Sequence, residues 1–428
     1  MLTALVIVFV VAYVAIALEH PLKINKSASA LIGAGLLWTI YALSTADHPR
    51  VARELGESVT STAQIIFFLM GAMTIVEVVD AHNGFEVITR RISTTKLSSL
   101  MWLVGVVTFF LSSILDNLTT TIVMVSLMRN LLAKREDRLF FAGIIVIAAN
   151  AGGAWTPIGD VTTTMLWIGG QITSLNIMKS VFLAAVISLL VPLTITAYML
   201  RGRTVEAPQS DAARPGVPVT TGFERHLMFF LGLGILVAVP VFKTVTHLPP
   251  FLGILFGLGI LWLVGDLVHR HKEDEYKEHF TLVRALGRID MSCIVFFVGI
   301  LLAVATLEHT HILKSLAQWL DAHIGRLDVI VVAIGLVSAV VDNVPLVAAS
   351  MGMYDLKTHP TNSFLWEFLA YCAGTGGSIL IIGSAAGVAA MGLEKINFFW
   401  YVRKISGLAL VGYLAGALVY VVQYNLTH

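Results

Sequence analysis

An apolar stretch in the first half of the chain reads Leu111-Ser112-Ser113-Ile114-Leu115-Asp116-Asn117-Leu118-Thr119-Thr120-Thr121. A second one reads Val340-Val341-Asp342-Asn343-Val344-Pro345. Both place the pair Asp-Asn in the middle of a hydrophobic run. A carboxylate inside a bilayer costs roughly 2.5–3.5 kcal/mol on insertion scales. A sequence that bears this cost twice, in the same pair of residues, indicates that both copies serve one function.

The composition is that of a membrane protein. Hydrophobic residues make up 57% of the chain and charged residues only 13%, whereas a soluble globular protein carries about 25% charged residues. Apolar runs long enough to cross a bilayer predict an all-α, polytopic membrane protein. They lie at about 2–18, 27–44, 60–80, 179–200, 226–242, 249–268, 290–307 and 405–424. The net charge of +1, with no basic cluster among aromatic residues, argues against nucleic-acid binding.

Four further stretches are apolar but interrupted. The Asp-Asn pairs split residues 98–132 and 328–354 into short halves, which predicts two re-entrant helical hairpins with tips inside the protein. Residues 139–174 and 363–392 contain Gly-Gly pairs and predict two discontinuous helices. The residues expected to break these helices are Gly152, Gly153, Pro157 and Gly159 in the first, and Gly376, Gly377 and Gly383 in the second.

The chain has the pattern of a duplication, because the two Asp-Asn pairs and the two Gly-Gly pairs are almost equally far apart. We predict a first repeat at 1–200, a cytoplasmic linker at 201–225 and a second repeat at 226–428. Each repeat would contain five crossings and one hairpin. Because five is odd, the second repeat would enter from the opposite face, and the repeats would be inverted.

The basic residues agree with this topology. It places all but seven of the 28 lysines and arginines on one side, which the positive-inside rule makes cytoplasmic. The seven on the other side are Arg50, Arg53, Lys179, Lys243, Lys314, Arg326 and Lys357. Both termini are then predicted to lie outside the cytoplasm, and the two hairpin tips are predicted to meet near the middle of the membrane.

Side-chain oxygens concentrate where the hairpin tips and helix breaks would converge, and hard cations prefer oxygen ligands. We predict that Asp116, Asp160 and Asp342 hold Na⁺, with the main cation site in the first repeat and Asp342 as a coupled second carboxylate. The full set of predicted cation- and proton-binding residues is Asp116, Asn117, Thr119, Asn150, Thr156, Asp160, Asp342, Asn343, Thr375 and Ser378. Ser384 stands near the position equivalent to Asp160, so the second repeat is poorer in carboxylates. No lysine or arginine lies next to the Asp-Asn pairs or the Gly-Gly breaks in the sequence, so an anion would meet buried acids without a basic partner.

Carboxylates in a dry pocket, or close to one another, have a raised pKa. A proton and a metal ion would then compete for the same oxygens, which is the simplest mechanism of exchange. Plainer roles remain open for the same residues: an Asp-Asn pair can simply cap the following helix, and Gly-Gly can simply allow close packing. Glu77, near the end of a span, could relay protons or lie at the membrane interface.

Three segments resemble the NhaD-type sodium/proton antiporters. These belong to the ion transporter superfamily, with the divalent-anion/sodium symporters and the arsenite pump ArsB as relatives. The segments are residues 112–121, 150–163 and 340–349. In the symporter branch, Ser-Asn-Thr motifs at the hairpin tips hold sodium and a carboxylate substrate. Here Asp116 and Asp342 replace the serine, which fits a cation exchanger.

The resemblance implies a homodimer in the inner membrane of a bacterium, with periplasmic termini. It also implies a fixed scaffold domain and an elevator-like transport domain that carries the hairpins and broken helices. We expect a secondary antiporter rather than an enzyme, with no cofactor, which moves cytoplasmic Na⁺ or Li⁺ out and H⁺ in by alternating access. The alternative is an anion or oxyanion transporter for a dicarboxylate or arsenite. A membrane protease or an ATP-driven pump is less favoured, because the chain lacks His-Glu-x-x-His and a P-loop.

Overall fold

The computed structural model describes residues 1–89, 94–205, 220–272 and 280–427. The regular secondary structure in these ranges is entirely helical. Eight of the helices are long and apolar enough to cross a membrane. The prediction of an all-α, polytopic membrane protein is therefore confirmed. Most of the predicted linker, residues 206–219, lies outside the described residues.

The helices of the first half are α1 (Leu2–Ala17), α2 (Glu19–Leu22), α3 (Lys26–Leu43), α4 (His48–Ala81), α5 (Glu86–Thr89), α6 (Leu97–Leu115), α7 (Asn117–Leu131), α8 (Arg135–Gly153), α9 (Val161–Ile168) and α10 (Ser174–Met199). Those of the second half are α11 (Gly222–Thr246), α12 (Pro250–His269), α13 (Leu282–Leu286), α14 (Met291–His309), α15 (Ile312–His323), α16 (Leu327–Val337), α17 (Asn343–Met353), α18 (Phe364–Gly376), α19 (Ala385–Glu394), α20 (Phe398–Tyr401) and α21 (Gly407–Thr427). A π-helical turn at Val402–Ser406 joins α20 to α21.

Helix α4 is longer than its apolar run. It begins at His48, well before the hydrophobic residues start. The reason is local, because the Asp47 side chain accepts a hydrogen bond from Arg50 N at 3.1 Å and Pro49 lies in the first turn. An acceptor at the N-cap and a proline just inside it are both favourable helix starts.

Helices α6 and α7 form the first hairpin. Asp116 turns the chain between them with φ 94° and ψ 159°. The two outer ends lie at the same end of the molecule. Leu97 N, in α6, donates to Arg203 O at 3.0 Å, and the Arg203 guanidinium pairs with Asp137, shortly after α7, at 2.6 Å. The chain therefore enters and returns on one side.

Helices α16 and α17 form a second hairpin with its tip at Asp342. Its outer ends are also close together. Tyr354, directly after α17, donates its hydroxyl to Asp321 Oδ1 at 3.2 Å. Asp321 lies in α15, the helix that precedes α16. The second Asp-Asn pair thus occupies a tip like the first.

Each hairpin packs against an interrupted helix through equivalent contacts. Ser112 Oγ donates to Ala149 O at 2.6 Å, and Ser338 Oγ donates to Ala373 O at 2.9 Å. The glycines match as well: a Cβ on Gly152 would lie 2.1 Å from Phe109 O, and a Cβ on Gly376 would lie 2.1 Å from Gly335 O. Backbone therefore packs directly on backbone in both halves, which only glycine allows at this distance.

The helices pack most extensively within two groups. The hairpin group comprises α6–α10, α16–α19 and α21; the support group comprises α1, α3, α4, α11, α12 and α14. In the support group α3 packs on α14, and α12 packs on α4. Helices α4 and α14 run in opposite directions: His309 Nε2 at the end of α14 lies 3.0 Å from Ser58 Oγ in the first third of α4, and Phe297, earlier in α14, lines the same cavity as Phe68, later in α4.

Candidate functional site

Asp160 lies at the break of the first discontinuous helix. The helix ends at Gly153 and resumes as α9 directly after Asp160. Asp160 Oδ1 caps α9 by accepting from Thr162 N at 3.0 Å, and the residue is only 2% exposed. The positive end of the α9 dipole therefore faces this carboxylate and stabilises its charge.

Both hairpin tips reach Asp160. Asn117 Nδ2, from the first hairpin, donates to Asp160 Oδ2 at 2.8 Å. Asn343 Nδ2, from the second hairpin, points to the same oxygen at 3.4 Å. One asparagine from each half of the chain therefore meets at a single buried carboxylate oxygen.

The network continues into the second discontinuous helix. Asn117 Nδ2 also donates to Asn150 Oδ1 at 2.9 Å, and Asn150 Nδ2 donates to Ser384 Oγ at 2.9 Å. Ser384 caps α19, as Asp160 caps α9. All these side chains are buried. We call Asn117, Asn150, Asp160, Asn343 and Ser384 the central cluster.

The two halves contribute unequally to the central cluster. The first half supplies Asn150 and Asp160, while Gly374 and Ser384 occupy the equivalent positions of the second half. A Cβ on Gly374 would lie 3.8 Å from Asp160 Oδ2. Because Gly374 has no side chain, the backbone comes close to the carboxylate there. Asp160 is the acid of the central cluster, and Ser384 takes its place in the second half, as the sequence pattern indicated.

Asp116 faces a different way from Asn117. Its Oδ1 accepts from Thr119 N at 2.8 Å and its Oδ2 accepts from Thr119 Oγ1 at 2.9 Å, so Asp116 and Thr119 together cap α7. Asp116 also lines a mostly apolar cavity of about 50 Å³, along with Phe68, Cys293 and others. This is room for about three to five water molecules, at roughly 10–15 Å³ each.

Asp342 pairs with a lysine. Lys26 Nζ, at the start of α3, lies 2.9 Å from Asp342 Oδ2, and Asp342 Oδ1 caps α17 by accepting from Val344 N at 3.3 Å. The expectation that the acids have no basic partner is therefore wrong for Asp342. Lys26 precedes an apolar run and belongs to no motif, so no sequence signal indicated that it would reach the second hairpin.

The expected three-carboxylate site does not form in this structure. Within the described ranges, no three Asp, Glu, His or Cys side chains are placed to hold a metal ion together. The physical reason is that Asp116 and Asp342 turn toward the N-terminal amides of their own helices. Asp160 alone lies in the central cluster.

The other predicted oxygen ligands lie nearby but serve backbone packing. Thr156 Oγ1 donates to Ser113 O at 2.6 Å and so joins the first helix break to the first hairpin. Thr375 Oγ1 donates to Tyr371 O, and Ser378 Oγ donates to Thr375 O, both within the second interrupted helix. Glu77 lies half-buried in α4 and does not line the cavity beside Asp116, so its relay role stays a prediction.

Comparisons with known proteins find similarity to membrane transporters. The family model described as a citrate transporter, CitMHS, matches residues 13–366. Sodium/proton antiporters 1 and 2 of Arabidopsis thaliana are 50% and 48% identical, over 99% and 98% of this chain and 73% and 99% of their own lengths. The Na⁺/H⁺ antiporter NhaD of Alkalimonas amylolytica is 31% identical, over 96% of this chain and 89% of its own.

Proposed function

We propose that this chain, which belongs to the citrate-transporter family and to the NhaD-type sodium/proton antiporters, is a cation exchanger. It exchanges cytoplasmic Na⁺ or Li⁺ for external H⁺. The observation that carries the proposal is the meeting of Asn117 and Asn343 at the carboxylate of Asp160. A buried acid surrounded by neutral amides has the composition of a monovalent cation site.

The central cluster can hold either a cation or a proton. In the structure the amide nitrogens of Asn117 and Asn343 donate to Asp160 and compensate its charge. An amide presents an oxygen when it is turned over. Rotation of the two amides would therefore offer Na⁺ two neutral oxygens beside the carboxylate, which are ligands that hard cations prefer. A proton on Asp160 neutralises the same charge, so Na⁺ and H⁺ exclude one another.

Alternating access is proposed to arise from two inverted repeats. The opposite directions of α4 and α14 support this, because these helices hold equivalent places in the two halves. Helices α10 and α21 support it as well: a Cβ on Gly412 would meet Ser188 O at 2.3 Å, and a Cβ on Gly416 would meet Ala184 O at 2.5 Å, so the paired helices run antiparallel. The hairpin group would move as an elevator against the support group and carry the central cluster between the two faces.

The site and its surroundings disfavour the anion alternative. The family description names citrate, and citrate would need basic groups facing the central cluster. The lysine that reaches a hairpin tip, Lys26, is already paired with Asp342. The cavity beside Asp116 has room for only a few water molecules. A small cation with one or two waters fits both observations better than a tricarboxylate.

We also propose a homodimer in a bacterial inner membrane with periplasmic termini. The bacterial NhaD relatives support the membrane. The orientation is supported by a basic end of the molecule, where Arg129 and Arg138 pair with Glu394, and Arg203 pairs with Asp137. Basic residues at one face are typical of the cytoplasmic side. If the exchange is unequal, the membrane potential adds about 2.3 kcal/mol per net charge per 100 mV.

The test uses everted vesicles from a host without antiporters of its own, acidified inside by respiration. NaCl, LiCl, KCl and choline citrate are added in turn while a dye reports the pH gradient. We expect NaCl and LiCl to collapse the gradient and choline citrate to leave it unchanged. Citrate uptake without a response to Na⁺ or Li⁺ would overturn the proposal and establish the anion transporter instead.

A further inference from the structure

Lys26 joins the support group to the second hairpin. It is the first residue of α3, and its Nζ lies 2.9 Å from Asp342 Oδ2 and 4.4 Å from the centre of the Phe296 ring. The two paired side chains are 20% and 11% exposed. Two opposite charges, largely shielded from water, therefore hold a helix start against a hairpin tip.

The lysine side of this pair is firmly anchored. Asn25 caps α3 by accepting from Ser27 N at 2.8 Å, and its Nδ2 donates to Ser292 Oγ at 3.0 Å. Ser27 Oγ donates to Ser292 O at 2.7 Å. These bonds fix the start of α3 to the start of α14, both in the support group. The proposed elevator shift of the hairpin group against the support group would therefore separate Lys26 from Asp342.

The hairpin side of the pair adjoins the central cluster. Asp342 is followed directly by Asn343, which points to Asp160. The other charged group at Lys26 is Glu19, whose Oε1 accepts from the Lys26 backbone N at 3.2 Å. Asp342 is thus the side-chain partner of the ammonium group. Removing the ammonium would leave a largely shielded carboxylate without a counter-charge, which is unfavourable.

We propose that Lys26 is a tethered cation that occupies Asp342 when neither Na⁺ nor H⁺ is there. The tip of the second hairpin then leaves α3 and α14 only when a mobile cation replaces the ammonium group. An empty hairpin group is held in place, and a loaded one is released. This inference rests on the proposed cation exchange and adds to it a residue that makes movement depend on loading.

The first experiment measures the position of the hairpin group without any transport. Spin labels replace Ile32 on α3 and Val329 on α16, which are 63% and 44% exposed, in a Cys293→Ser background. Double electron–electron resonance distances are compared in choline chloride and in NaCl. We expect one narrow distance for the parent protein in choline chloride and a second population in NaCl. Lys26→Met should show the second population in choline chloride, and Lys26→Arg should behave as the parent.

A matched control is Lys23→Met, which removes an exposed lysine just before α3. It should leave the distances unchanged. Asp342→Asn breaks the same pair from the other side and should reproduce Lys26→Met, so the test survives if one variant misfolds. Parent-like distances in choline chloride for a folded Lys26→Met or a folded Asp342→Asn would overturn the proposal.

The second experiment measures coupling in liposomes. Lys26→Met should carry several-fold more tracer Na⁺ per proton than the parent, because its hairpin group moves while empty of protons. A purely structural lysine would lower both fluxes together and leave their ratio unchanged, which would contradict the proposal. The two claims fail separately: a parent protein without exchange refutes the proposed function, whereas unchanged distances and ratio in Lys26→Met refute the role of Lys26.

Discussion

Asp160 is the residue on which the proposed ion exchange depends most. We expect Asp160→Asn to abolish Na⁺/H⁺ exchange in liposomes, because the amide can bind neither a proton nor the cation's charge. The fold should survive, since asparagine caps a helix N-terminus as well as aspartate does and Thr162 N keeps an acceptor. Tracer Na⁺ exchange and thermal melting of the purified variant check both statements.

The matched control for this substitution is Asp355→Asn. Asp355 lies in an exposed loop and accepts from Thr358 N at 2.8 Å, a bond that asparagine can also accept. Its exchange should equal that of the parent protein. An Asp160→Asn variant that exchanges at the rate of this control would show that the carboxylate is not the ion-binding group.

Asp116 gives a prediction about backbone strain. Its φ of 94° and ψ of 159° lie in a region that is essentially restricted to glycine. Asp116→Ala keeps the strain and loses the cap on α7, while Asp116→Gly loses the cap and relieves the strain. We expect the glycine variant to be more stable than the alanine variant by about 1–3 kcal/mol, measured by unfolding in denaturant. Equal stabilities would mean that the tip is unstrained.

The sequence pattern identified the Asp-Asn pairs, but it did not show which side chain of each pair faces the site. The turn geometry at each tip directs Asp116 and Asp342 to the amides of their own helices and leaves the neighbouring asparagines to face Asp160. Successive residues at a tip point in different directions, and the sequence alone does not specify which one points inward. Lys26 could not be predicted, because its partner belongs to the other half of the chain.

The close glycine contacts give a prediction at the scale of helices. A Cβ on Gly152 or Gly376 would lie 2.1 Å from a carbonyl oxygen of the adjoining hairpin, so backbone must shift. We expect Gly152→Ala and Gly376→Ala each to lose about 1–3 kcal/mol or more of stability, and exchange with it. The matched controls are Gly35→Ala and Gly392→Ala, where nothing lies within 4 Å.

Thermal melting of the four purified variants decides this prediction. The two control variants should melt at or slightly above the parent protein, because alanine favours the helical state over glycine. If Gly152→Ala and Gly376→Ala melted with them, the backbone contact between hairpin and broken helix would not be a close one.

The sequence predicted the helices well where a single physical signal governs them. Long apolar runs became α3, α10, α12 and α14 with similar bounds, because hydrophobic length alone fixes a span. The early start of α4 was missed, since a cap and a proline set it rather than hydrophobicity. By length and hydrophobicity α6 also qualifies as a membrane span. It does not act as a complete crossing, because α7 returns the chain to the same side.

At the scale of the whole molecule, competition between Na⁺ and H⁺ predicts the pH dependence. In the proposed mechanism, protons occupy Asp160 at low pH and must leave before Na⁺ binds. The KM for Na⁺ should therefore rise as the pH falls, toward a tenfold increase per pH unit, while the rate at saturating Na⁺ changes little. Initial rates of tracer Na⁺ uptake into liposomes at several pH values measure both. A constant KM with a falling maximal rate would indicate separate sites.

The sequence predicted a duplication from its paired Asp-Asn and Gly-Gly words, but it did not predict how the two halves pack together. Helix α3 packs on α14, α12 packs on α4, and Asn150 donates a hydrogen bond to Ser384, so each of these contacts joins the first half of the chain to the second. Such contacts depend on how two surfaces fit, and local patterns do not encode that. The sequence thus predicted that the site lies at the hairpin tips and helix breaks. It did not predict which polar residues there face the central cluster and which cap their own helices.

The most direct test of the central claim is proton release on cation binding. Purified protein in detergent, at weak buffering and near neutral pH, is titrated with NaCl, and the pH is recorded, with choline chloride as the control. If Na⁺ and H⁺ compete for Asp160, NaCl should release protons from the parent protein and far fewer from Asp160→Asn. Equal release by both proteins, or no release from a parent protein that carries Na⁺ in liposomes, would contradict the account.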